Sequence, residues 1–118
     1  MKEKKIPPKE EKNLMCIMQE RGCVFGLFLA DMMRKVKNNI RRLCKACCIS
    51  ETHTLRGKMM KGLPVEAGVY TQVYLVLKSL LVSYPSPDNN VLLAQLEHSY
   101  DQYIAIIPLS VLFGRNNG

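Results

Sequence analysis

The sequence predicts an all-α protein: a small helical domain with a long N-terminal amphipathic helix and a C-terminal antiparallel helical hairpin. Three observations predict it. Apolar residues recur at steps of three and four through residues 10–48, and they do so again through residues 64–107. The second stretch is divided by Pro85-Ser86-Pro87, a turn short enough to fold two helices back against each other. At 118 residues, 47% of them hydrophobic, the chain suits one domain with a core and lacks the composition of a disordered one.

Taken in order, residues 1–9 read as a basic, disordered arm, since they are lysine-rich and contain Pro7-Pro8. A single helical domain is expected over 10–113. Its first part, 10–48, carries a stripe through Leu14, Ile17, Met18, Phe25, Phe28, Met32, Val36, Ile40, Leu43 and Cys47. Gly22 and Gly26 interrupt it at a cost of about 1 kcal/mol each relative to alanine. A break near them, giving two shorter helices, therefore competes with one long helix. The same spacing would permit a close helix crossing.

Residues 50–63 form a connector with cap-type residues at Ser50, Thr52 and Thr54. A helix is expected to begin near Pro64, because proline suits a first turn and Glu66 suits the positive end of the helix dipole. Val69, Val73, Val76, Leu77, Leu80, Leu81 and Tyr84 then keep helical spacing. The wealth of Val, Tyr and Thr would also suit a buried strand, but about twenty residues without a turn are too many for one. Asp88 or Asn89 is expected to cap the last helix, whose stripe is Leu92, Leu93, Leu96, Tyr100, Tyr103, Ile104 and Ile107. Pro108 ends or kinks it, and 114–118 read as a frayed tail.

Charge is distributed unevenly. The formal net charge is +7, and residues 1–61 hold 15 of the 17 Lys and Arg but six of the ten acids. The basic stripe Arg34, Lys37 (beside Asn38), Arg41, Arg42 and Lys45 would lie on one helical face, with Arg56, Lys58 and Lys61 extending it. Such a stripe could bind phosphates, an acidic protein or an anionic membrane surface. No aromatic residue is interleaved among these charges, so no base-stacking platform is expected.

The five cysteines are Cys16, Cys23, Cys44, Cys47 and Cys48. An odd, crowded set behind a charged first dozen residues suits an intracellular, reducing compartment such as cytoplasm or nucleus. Cys44, Cys47 and Cys48 with His53 are weak candidates for structural zinc, which takes thiolate and imidazole ligands. With Cys44, Cys47 and His53 as three ligands, the fourth would be Cys48, Cys16, Cys23 or His98. Cysteines beside a basic helix also suit reversible acylation. No cofactor is otherwise expected. Residues 23–33 are too short for a membrane span, and 65–84 and 91–113 are interrupted by charged groups.

Glu97, His98 and Asp101 sit on a polar helix face, and no nucleophile motif, phosphate loop or metal-protease motif occurs. The expectation is a non-enzymatic protein–protein interaction module, an adaptor or complex subunit, binding a protein partner or itself through Phe25, Phe28, Met32 and Val36. Nucleic-acid association through the basic stripe and peripheral membrane attachment are the alternatives. No small-molecule substrate is expected. Methionine is abundant, at seven residues, and serves either as core filler or as an adaptable contact surface.

Overall fold

The computed structural model describes residues 8–36 and 39–105, with side chains from residue 16 onward. Among the described residues every regular element is helical: α1 (Pro8–Lys35), α2 (Ile40–Cys47), α3 (Ala67–Ser83) and α4 (Pro87–Ile104). A π-helical turn (Glu51–Arg56) and a 3-10 turn (Met59–Lys61) carry the chain from α2 to α3. The all-α class stands, and the competing strand over the Val- and Tyr-rich segment is absent.

Helix α1 passes through Gly22 and Gly26 without interruption, because α3 uses them. The ring of Tyr70 lies across both glycines, and a Cβ at either would come within 3.0 Å of it. The Tyr70 hydroxyl is held in turn, accepting the Val65 N–H at 3.1 Å. Packing of this buried ring offsets the helix-propensity cost of the two glycines. The basic segment does divide, but later: α1 ends at Lys35 and α2 begins at Ile40. Asn39 caps the new helix by accepting the Arg41 N–H at 2.8 Å. The expected helix over 10–48 is therefore two helices, and their division is not at the glycines.

Helix α1 begins at Pro8, so Pro8 and Lys9 of the expected arm are helical; residues 1–7 lie outside the described residues. The far end of α2 closes with Cys48 in the left-handed region, at φ 59°. There Ile49 N–H reaches the Cys44 carbonyl at 3.0 Å and Cys48 N–H the Lys45 carbonyl at 3.1 Å. This pair of bonds satisfies carbonyls that a helix end leaves open.

Helices α3 and α4 run antiparallel. Tyr74 stacks on Tyr100 with ring centroids 3.9 Å apart, Tyr70 meets Tyr103 edge-on at 5.6 Å, and Lys78 pairs with Glu97 at 3.4 Å. Contacts advance along one helix as they retreat along the other. Ser86, and neither Asp88 nor Asn89, caps α4: its hydroxyl accepts the Asn89 N–H at 3.0 Å, with Pro87 opening the helix. The Asn89 side chain instead donates to the Tyr84 carbonyl at 2.6 Å and ties down the turn. Ile107, Pro108 and the expected tail lie outside the described residues.

The core is drawn from every element: Phe25, Leu29, Ala30, Met32 and Met33 of α1 with Val36 just past its end, Leu43, Cys44 and Cys47 of α2, and Leu55 and Met59 of the connector. Tyr70, Val73, Tyr74, Leu77 and Leu81 of α3 and Leu96 of α4 complete it. Met32, Met33 and Met59 are thus core filler. The stripe expected to face a partner needs correction on the same ground. Phe25, Met32 and Val36 are buried against this chain's own helices, and half-buried Phe28 stacks on Phe25 with centroids 6.3 Å apart. Burial of Phe25, Met32 and Val36 is what attaches α1 to the hairpin, so these three offer no open face and Phe28 alone of the four keeps a partly open side.

Candidate interaction surface

Helix α3 has a single charged residue, Lys78, in its seventeen. A helix apolar on all sides is normally enclosed on all sides. Here α1, α2 and α4 cover one side, and the outer side stays open. Leu75 is 52% exposed and Val82 55%, one turn apart from Ser79 between them, and Tyr84 just past the helix end is 66% exposed. Half-buried Val76 and Leu80 continue the surface toward the core. Leu75, Val76, Leu80 and Tyr84, together with Gln72, Ser79 and Ser83, line a shallow groove of about 430 Å³, and Val82 lies outside that lining.

At the C-terminal end of α3 the surface deepens into a cleft of about 500 Å³ between the end of α1, the start of α2 and the α3–α4 turn. Val36, Leu81 and Leu92 line it together with Lys35, Arg42 and Asp88. Leu80 and Tyr84 line both the groove and the cleft, which makes the two continuous.

The expected basic stripe does not survive as one face. Arg34 is exposed on α1, while Arg41, Arg42 and Lys45 are exposed on α2, and the break between the helices parts them. Lys37 and Asn38 lie outside the described residues. Arg41 turns toward the π-helical turn and meets Glu51 at 3.7 Å, where Arg56 also pairs with Glu51 at 3.0 Å. One carboxylate thereby neutralises part of two cations. Arg42 points the other way, into the cleft beside Lys35. Lys58 and Lys61 are exposed on the connector.

The cysteine cluster is drawn apart in a similar manner. Cys44 and Cys47 are buried, Cys48 is exposed, and His53 is exposed on the π-helical turn. Burial, reinforced by the neighbouring Cys44 and Cys48 thiols, pushes the Cys47 thiol up to about 12. Burial also raises that of Cys44, with Glu51 adding to the effect and Arg56 opposing it. Zinc needs the thiolate, which both positions resist. No group of three or more His, Cys, Asp or Glu side chains is placed to hold a metal ion among the described residues. Of the polar trio on α4, Glu97 pairs with Lys78, and His98 and Asp101 face outward.

Among the described residues no helix is long and apolar enough to cross a membrane. No protein-family model, curated protein or solved structure matches the chain. What defines the candidate site is therefore its own geometry: an all-α bundle with one apolar helix left open along its length. Leu75 and Val82 belong to no stripe read from the sequence, because spacing on α3 places apolar residues on every side. The signal that could have found them is the near absence of charge in the helix as a whole.

Proposed function

We propose that the chain is a non-enzymatic helical protein–protein interaction module, an adaptor or complex subunit whose partner docks on the outer side of α3. The observation that carries this reading is the open apolar face formed by Leu75 and Val82 with Val76, Leu80 and Tyr84. Scattered exposed aliphatics are ordinary on any protein surface, whereas several along a helix whose single charged side chain, Lys78, is engaged with Glu97 mark a contact surface. The basic residues favour it over nucleic-acid binding, since they diverge and two of them converge on Glu51. Five free thiols suit a reducing, intracellular setting for such a module.

Replacing Leu75 with a photo-reactive amino acid in the full chain tests the reading. Illumination in cells is expected to yield covalent adducts with a discrete protein, insensitive to nuclease and absent when the same group replaces exposed Gln95 on α4. Equal adducts from both positions, or none from position 75, would count against it.

A further inference from the structure

The open face of α3 changes character along its length, and the change specifies what fits it. Beside Gln72, Leu75 and Val76 the groove has no charged lining residue among the described residues. Past Leu80 and Tyr84 it enters the cleft, where an apolar floor of Val36, Leu81 and Leu92 meets Lys35, Arg42 and Asp88. Lys35 is paired with Asp31 at 3.1 Å, but both side chains are more than half exposed, so the pair is held weakly. Arg42 makes no ion pair with any described side chain, in contrast to Arg41 and Arg56. Of the side chains lining the cleft two are cationic and one is a carboxylate; Asp31, outside the lining, offsets Lys35, and Arg42 remains as the positive group at this end of an otherwise neutral track.

We infer that the occupant is a peptide segment of a partner protein, amphipathic and acidic at one end. Its aliphatic side chains lie along Leu75, Val76 and Leu80, and its carboxylates face Arg42 and Lys35 in the cleft. The inference rests on the interaction-module reading and adds the chemistry of the partner to it. The track from Gln72 to Tyr84 matches about three turns of helix, roughly 18 Å. Groove-bound helices present anchors at i, i+3 or i+4, and i+7, a span of about 10.5 Å that fits within it. Charge also argues against a second copy of this chain, whose formal net charge of +7 would meet a positive cleft. A phosphate backbone would match Arg42 and Lys35 but leave the aliphatic track unmatched.

The test is selection of a displayed library of random sixteen-residue peptides on the intact chain, with Arg42→Glu and Leu75→Glu variants in parallel. Both substitutions are at exposed positions, and circular dichroism verifies that the helices persist. Enriched peptides are expected to carry apolar residues at three- and four-residue spacing followed by Asp or Glu. They should bind about tenfold more weakly to Arg42→Glu, lose binding to Leu75→Glu, and weaken as salt is raised. Enrichment of neutral or basic peptides, or affinity indifferent to Arg42→Glu, overturns the acidic chemistry while leaving the α3 face in use. Peptides indifferent to Leu75→Glu, or no enrichment at all, remove both. Flotation with phosphatidylserine vesicles through Arg42, without any selected peptide, would assign the cleft to lipid and overturn the inference as well.

Discussion

The two sides of α3 are built from the same kinds of residue and meet opposite fates. Val73, Leu77 and Leu81 on the inner side are shut away completely, while Leu75 and Val82 on the outer side are more than half exposed. Composition does not separate them. What separates them is the position of α1, α2 and α4, all of which pack against a single side. Apolar surface is an offer of binding energy that only neighbouring structure takes up. On the inner side the chain itself takes it up, and on the outer side the offer stands open.

Stability measurements should separate the two sides sharply. Leu77→Ala is expected to lower unfolding free energy by about 2–5 kcal/mol, the range for a fully buried leucine, measured by urea denaturation. A loss below about 1 kcal/mol would mean that the inner side is loosely packed.

The next contrast is with pH. Cys47 belongs to the same core, and its thiol rises from an ordinary 9.0 to about 12 through burial. A group with a raised folded-state value contributes stability fully below its unfolded value and loses it as pH rises toward the folded one. The urea midpoint should therefore fall as pH climbs from about 9 toward 12, and fall less steeply in Cys47→Ala. Burial raises Tyr70 and Tyr103 too, so the comparison with the variant is what isolates Cys47. Parallel slopes would show that the thiol does not contribute.

Gly26→Ala tests the seat of Tyr70. Helix propensity favours the substitution by about 1 kcal/mol, while the new Cβ presses a buried, hydrogen-bonded ring. The net expectation is a loss of roughly 1 kcal/mol, because overpacking typically costs more than propensity returns. In a Tyr70→Leu background the same change should instead stabilise. An unchanged sign would remove the ring as the cause. The smallest stability effect belongs to the outer side: Leu75→Ser should stay within about 0.5 kcal/mol of the wild type while weakening association.

The helices and their order were readable from spacing, since three- and four-residue periodicity depends only on local geometry. Which side of each helix faces inward was not. Phe25, Met32 and Val36 have the same spacing whether they meet a partner or the chain's own hairpin, and it is Tyr70 in the Gly22–Gly26 seat that turns them inward. The start of α2 has a local sign in the sequence: Asn39 before Ile40 is a cap residue at the head of a new helix. Ser86 before Pro87 is another, passed over in favour of Asp88 and Asn89. The basic stripe was legible as residues but not as a surface, because it assumed a helix that continues where this one stops.

The seat of Tyr70 on Gly22 and Gly26 also bears on the order in which the molecule assembles. Helices α3 and α4 are joined by a three-residue turn and meet at small cost in chain entropy, whereas Tyr70 reaches α1 only after the whole connector has been brought round. The expected sequence is hairpin first and α1 last. Stopped-flow kinetics would register it as an asymmetry: truncating Leu96 should mainly slow folding, and Gly26→Ala should mainly hasten unfolding. A contact between two glycines and one ring would then govern how long the native state survives more than how quickly it is reached.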